Sequence, residues 1–356
     1  MADVDWSEPF HAEYRYMRVL RSTGAEAEKL EGFLDGGTIE RNADVQIKEK
    51  GSVAHDGPLD IGSDLVRVYL DARGMFTGWE ASEALGTFLA STTTMDVDGS
   101  VSTCGVSLTG RLSELEQDRF ERPVTVPAGS NPVEKAVEIV RAAGLDVAAD
   151  ATDFKMRSDW TFGLGEDGGG TKLDAVNDLL REAGFSSAAT DAMGRVQMRR
   201  YHAPGTREPV HAFVEGAGAR FMREITDERD ATGIANVVMT VYTDQETTTV
   251  GTAIDEDPES PYSTVSMGRR IVARYDYTNA ATQERADAKA AELLKTNQSV
   301  IRRVTFTHAY VPVAVGDVVR LDYPGGGVRE RLAVRTQSIE LGAGCLVKCE
   351  GRSYGR

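Results

Sequence analysis

Several chemistries are partly spelled in this sequence, and none is completed. The run Gly165-Glu166-Asp167-Gly168-Gly169-Gly170-Thr171-Lys172 is a glycine-rich loop that enters a helix. A phosphate cradle ends in Gly-Lys-Ser/Thr, so that the lysine reaches the phosphates and the hydroxyl reaches magnesium. Here the order is Gly-Thr-Lys, and Glu166 and Asp167 place negative charge where phosphates would sit. The run reads as a flexible entry to a capped helix. Asp96-x-Asp98-Gly99 imitates part of a calcium loop, but Gly105 then falls where a bidentate glutamate is required. An Asp-Gly pair between strand-like runs is instead a hairpin signal. The acidic, proline-bearing stretch 255–261 reads as a solvated loop and not as a cation site.

The histidines (His11, His55, His202, His211, His308) are scattered, without His-x-x-x-His or Cys-x-x-Cys spacing. Cys104, Cys345 and Cys349 form no regular set. Cys345 and Cys349 are four apart in a strand-like run, about 13 Å of chain, beyond disulfide reach. An odd count without spacing fits synthesis in a reducing compartment. No Gly-x-Ser-x-Gly elbow is present. Paired carboxylates of a glycosidase leave no one-dimensional signature. Aromatic residues are only 7%, with Trp6, Trp79 and Trp160, which is sparse for stacking sugars. The sequence therefore predicts no catalytic, cofactor-binding or metal-ligating residue, and no enzyme activity.

What must be positioned is an architecture. Gly62-Ser63-Asp64-Leu65-Val66-Arg67-Val68 and Gly316-Asp317-Val318-Val319-Arg320-Leu321 look like copies of each other. Each is a Gly/Asp turn, at Gly62 and Asp64 or at Gly316 and Asp317, opening into a β-branched strand with one outward arginine. Glycine tolerates positive φ, and aspartate can hydrogen-bond back to local backbone. The pattern predicts a duplicated β-barrel with something helical between the copies.

The chain's 356 residues exceed one ordinary core. Residues 1–127 read as the first barrel, with strands near 14–21, 38–48 and 65–70, a further pair at 77–83 and 87–94, then 101–107. Pro123 and Pro127 mark a boundary. Residues 128–204 read as a small α/β insert. Asn131, Pro132 and Glu134 start one helix and Gly144 ends it; Thr171 starts a second and Gly184 ends it. A hairpin follows, turning at 191–194. Residues 205–356 read as the second barrel, interrupted by one helix near 280–296 with the stripe Ala286, Ala290, Leu293 and Leu294. The fold class is α+β, mainly β: two related β-barrel domains and an insert.

Net charge is −16, from 56 acidic and 40 basic residues. Such a surface repels a phosphate backbone, so sequence-specific DNA binding is not expected. The first 21 residues lack the apolar core of a secretory signal, and no run approaches the roughly 20 apolar residues of a membrane span.

In this order the parts resemble the tail hub proteins of bacteriophages, the baseplate hub and late control protein D type. The resemblance is carried by Gly37-Thr38-Ile39-Glu40-Arg41-Asn42-Ala43-Asp44, by residues 60–70, by 173–184 with Gly194-Arg195-Val196, by Ala235-Asn236-Val237-Val238 and the alanine-rich helix, and by Val315-Gly316-Asp317-Val318-Val319-Arg320-Leu321. It implies a non-enzymatic homotrimer whose paired barrels make a pseudo-sixfold ring. Such a ring joins the tail tube, distal tail protein and tape-measure protein to a tail-tip or spike protein. DNA passes through it without specific binding. It also implies a place in the virion tail, assembled in the host bacterial cytoplasm; some relatives carry a lytic domain after the second barrel, and with Arg356 just past the last candidate strand none is expected here. Two other readings stay open: a tail-tip carbohydrate-binding or cell-wall-degrading protein, with a cleft beside Trp79 or Trp160, and a distal tail adaptor.

Overall fold

A computed structural model describes residues 4–98, 101–163, 170–228, 234–243, 247–277 and 281–354. The chain divides into two compact units, one of Met1–Ala203, Thr307–Gly316 and Arg335–Cys349, the other of Pro204–Phe306, Asp317–Val334 and Glu350–Arg356.

In the first unit the strands Glu26–Leu30, Phe10–Val19, Leu65–Gly74, Glu80–Asp98, Val101–Gly110, Glu49–Asp56 and Thr38–Asn42 pair in that order, all antiparallel. Thr38–Asn42 then pairs with residues 336–340 of the Val328–Glu340 strand. The sequence suggests separate strands at 77–83 and 87–94; they are one, Glu80–Asp98. The register shift between Val68 and Tyr69 absorbs the apparent break. Gly86 lies opposite, where an added Cβ would come 2.4 Å from the Phe88 ring. The Asp98-Gly99 turn expectation falls outside the described residues at Gly99, although Asp98 and Val101 are paired across it.

The insert packs its own core. Asn131 accepts from Val133 and Glu134 backbone N–H groups and starts the helix Pro132–Ala142, while Thr171 and Asp174 form a reciprocal capping box on Lys172–Glu182. Val133, Ala136, Val140, Leu173, Val176, Leu179 and Leu180 are buried together with Val196 and Met198 of the following hairpin. The glycine-rich run before Thr171 lies outside the described residues except at Gly170.

A second strand order is His211–Val214, Val318–Tyr323, Val328–Glu340, Leu346–Tyr354, Val300–Ala309 and Phe221–Glu228; residues 335–340, 346–349 and 307–309 of it belong to the first unit. A three-stranded sheet, Thr248–Ile254, Val237–Thr243 and Val272–Tyr277, carries the helix Gln283–Ser299. Ala286, Ala290 and Leu294 of the expected stripe are buried, with Leu293 partly so.

The duplication is visible as strand order. In the first unit the Gly62 turn leads into a three-stranded meander, Leu65–Gly74, Glu80–Asp98 and Val101–Gly110, flanked by Phe10–Val19 and Glu49–Asp56. In the second strand order, the Gly316 turn leads into Val318–Tyr323, Val328–Glu340 and Leu346–Tyr354, flanked by His211–Val214 and Val300–Ala309. The outer flank differs: Phe10–Val19 is antiparallel to its neighbour, His211–Val214 parallel. The expected closed barrels are not found. Among the described residues neither strand order returns on itself. In the first unit Tyr14 instead reaches the carbonyls of Glu340 and Gly342 through its phenol, at 3.1 and 3.0 Å. A side-chain contact thus stands where a closed barrel would have a ladder of backbone bonds.

Candidate assembly surfaces

The four turn residues are placed as follows. Gly62 and Gly316 have φ of +59° and +95°, in the region that favours glycine. Asp64 does not bond to its own turn through its side chain. Its carboxylate accepts from the Arg21 backbone N–H at 3.0 Å and from the Arg18 guanidinium at 2.7 Å. Those bonds, the backbone one foremost, hold its carboxyl below the usual aspartate range. Asp317 faces Arg207 at 3.5 Å, and its carbonyl accepts from Val334.

The arginines that follow these turns are not both outward. Arg320 is exposed, but Arg67 is only 4% exposed. The turn of the insert hairpin covers it. Arg67 Nε donates to the Thr87 hydroxyl at 2.9 Å, and that hydroxyl donates to the Ala192 carbonyl at 2.9 Å. The guanidinium also reaches the Met193 carbonyl at 3.2 Å and the Glu26 carboxylate at 2.7 Å. Arg111 approaches the Gly194 carbonyl at 3.4 Å. Three successive carbonyls are thus captured by one polar cluster. Gly194, at φ +81°, is required there, because a Cβ would meet Arg111 Cδ at 2.8 Å. Beside it, Thr190 donates to Glu49 at 2.8 Å, and burial pushes the Glu49 carboxyl up. A buried arginine in a strand otherwise read as half-apolar gives no local sequence signal; only the distant 191–194 turn explains it.

The second unit holds a different junction. Gly251 lets the Gln283–Ser299 helix lie against the sheet: a Cβ there would come 2.2 Å from Ala286 backbone atoms. Thr240 donates to the Ala286 carbonyl at 2.9 Å. Gln283 and Asp287, one helical turn apart, bond the Val250 carbonyl at 2.8 Å and the Thr252 N–H at 3.1 Å. The helix therefore satisfies backbone groups of an otherwise open, uncharged edge strand. Asn236, with no exposed surface, donates to Arg269 and Tyr262 carbonyls at 2.9 and 3.2 Å and accepts from Ile271 N–H at 2.7 Å. This fixes the segment containing the acidic loop. Within it the Asp255 carboxylate accepts from Asp257 N–H and the Ser260 hydroxyl, so it organises a turn.

The remaining chemical candidates have structural partners. Lys172 pairs with Asp118 at 2.5 Å. His55 lies between the carbonyls of Gly57 and Glu31. The three cysteines are buried and form no disulfide with one another. Among the described residues no three His, Cys, Asp or Glu side chains converge as a metal set, and no helix is long and apolar enough to cross a membrane. Trp79, 1% exposed, is packed edge-on with Trp6 at 5.0 Å and near Phe10 at 5.8 Å, so it offers no face to a sugar. Above that cluster, the turn after Leu65–Gly74 projects Met75 and Phe76, 63% and 80% exposed. The buried Glu8 carboxylate clamps it through the Phe76 and Thr77 N–H groups and the Thr77 hydroxyl.

No family model and no curated protein sequence matches the chain. Solved structures do. The tail protein from Neisseria meningitidis MC58 aligns over 96% of this chain and 96% of its own, with a TM-score of 0.70 at 11% identity. The 43 kDa tail protein of prophage MuSo2 from Shewanella oneidensis aligns over 95% of this chain and 98% of its own, with a TM-score of 0.66 at 10% identity. A chain of the Francisella PdpA–VgrG complex aligns over 97% of this chain but 58% of its own, with a TM-score of 0.57 at 7% identity. At these identities the likeness is one of fold. Two of these neighbours are tail proteins, one of them from a prophage, and the third is a chain of a VgrG complex.

Proposed function

We propose that this chain is a structural hub of a phage or phage-like tail, acting as a homotrimer and not as an enzyme. The observation that carries the reading is the internal repeat: two meanders, each entered through a positive-φ glycine turn, share one strand order. Two related repeats per chain and three chains give six similar repeats with threefold symmetry. Such a ring can face a sixfold tube and distal tail protein on one side and a threefold tip or spike on the other. Near-complete alignment with two tail proteins supports a place in the tail.

The other parts have a use in such a ring. The insert is fastened at Arg67, Thr87 and Arg111, and the Gln283–Ser299 helix is laid on the Thr248–Ile254 edge strand, so each is held to its own unit. The net charge of −16 per copy suits a channel that DNA crosses without adhering. The tape-measure protein and DNA would pass through the lumen, whose wall is expected to be net negative. Assembly would take place in the host bacterial cytoplasm.

The test is co-assembly. The proteins encoded beside this chain should include a long coiled-coil tape measure and a distal tail protein. Mixing the purified distal protein with this chain should give a ring complex by negative-stain microscopy. Neighbouring genes of metabolic type, and no complex at any mixing ratio, would remove the reading.

A further inference from the structure

The two copies of the turn and strand bury the same positions with one exception. Leu65, Val66, Val68 and Leu70 are buried, as are Val318, Val319, Leu321 and Tyr323, while Tyr69 and Asp322 are both half-buried. Arg67 is buried and Arg320 is exposed. The difference at Arg67 is its cover, the 191–194 turn, which supplies carbonyls to Arg67, Thr87 and Arg111.

The surface around Arg320 has its own character. Its cross-strand neighbour is Arg331, where Arg67 faces Thr87. Arg331 is half exposed and reaches Glu208 at 3.1 Å, but Glu208 is itself almost fully exposed, so that pair is weak and easily exchanged. On the other side Arg320 is in register with Ala212 of the His211–Val214 strand. Ala212 is exposed, as are Val210 and Val214 two residues to either side. An apolar strip thus lies beside two accessible arginines.

We infer that this face of the second repeat seats an acidic turn from a second copy of this chain, held as the 191–194 turn is held on the first repeat. The first repeat shows what this position accepts: main-chain carbonyls, together with the Glu26 carboxylate. Two arginines in place of an arginine and a threonine call for more negative charge in the occupant. With 56 acidic against 40 basic residues, the chain itself is a source of such turns. A turn of one copy seated on a different surface of the next is a heterologous contact, the kind that closes rings. The inference rests on the proposed self-association and names its surface.

The test is sedimentation velocity and mass photometry of the wild type and of the double variant Arg320→Glu/Arg331→Glu over a wide concentration range. Both side chains are accessible, and matching thermal melts show that the variant folds. The expected result is a trimer of the wild type and a fall of about a hundredfold in the association constant of the variant. A variant that trimerises like the wild type overturns the inference and leaves the hub reading standing. A wild type that stays monomeric at every concentration overturns the inference and counts against the trimer too. A parallel titration with a fluorescein-labelled DNA duplex covers the other ligand of an arginine pair. Duplex binding lost in the variant, with assembly unchanged, would also overturn it.

Discussion

Arg67→Ala and Arg320→Ala are one substitution at equivalent positions of two repeats, so each controls for the other. At Arg67 the change removes a guanidinium bonded to Thr87 at 2.9 Å, Glu26 at 2.7 Å and the Met193 carbonyl at 3.2 Å. Glu26 then keeps a charge without its cationic partner. Breaking a buried ion pair on one side costs about 3–5 kcal/mol; Glu26 is partly exposed, so about 3 kcal/mol is the expected loss. Arg320 is exposed, and its removal should cost within about 0.5 kcal/mol. Urea unfolding of both variants measures the two values. Hydrogen exchange should localise the first: amides of 189–198 should exchange faster in Arg67→Ala and unchanged in Arg320→Ala. Arg67→Lys should recover only part of the loss, since an ammonium cannot span three acceptors. Equal destabilisation of the two alanine variants, to within about 1 kcal/mol, would refute the claim that the insert turn is anchored at Arg67.

Other expectations follow from single junctions. Gly251→Val should destabilise the second unit by more than about 3 kcal/mol, because the helix backbone at Ala286 leaves no room for a Cβ; an unchanged melt would contradict that packing. Asn236→Ala should cost about 2–4 kcal/mol by leaving the Ile271 N–H and two carbonyls unpaired, read by urea unfolding. For Asp64, whose folded pKa is depressed, the stabilisation is present above the unfolded value and lost as pH falls through the folded one. Asp64→Asn should therefore melt below the wild type at neutral pH, with the gap closing below about pH 3.9; a gap independent of pH would contradict it. Gly62→Val and Gly316→Val should each lower the melting temperature, since a β-branched residue is strained at φ of +59° or +95°.

Helices are the most legible elements, because their local chemistry is complete: Asn131 with Pro132 and Glu134, and Thr171, mark both starts. The repeated turn was legible because glycine at positive φ is a local requirement. Arg67 was misread as outward, because its cover is a turn more than a hundred residues away. Residues 77–94 were divided because a glycine inside a strand resembles a stop, and the opposing register shift is invisible in one dimension. Thr248–Ile254 is rich in β-branched residues that favour a strand, but Gly251 interrupts it; its outward backbone groups are met by Gln283 and Asp287 of the helix. Trp79 is enclosed by Trp6 and Phe10, which are about seventy residues away in the chain, so its burial has no local sequence signal. Sheet closure is the least local property of all, and two closed barrels did not follow from two similar runs.

The central claim is that one chain carries two related units so that three chains can match six positions. Electron microscopy of the assembled ring, reconstructed without imposed symmetry, addresses it most directly. The account predicts three chains per ring, with the two meanders of each chain alternating around a threefold axis. A ring of six chains, with each meander repeated six times, would contradict it.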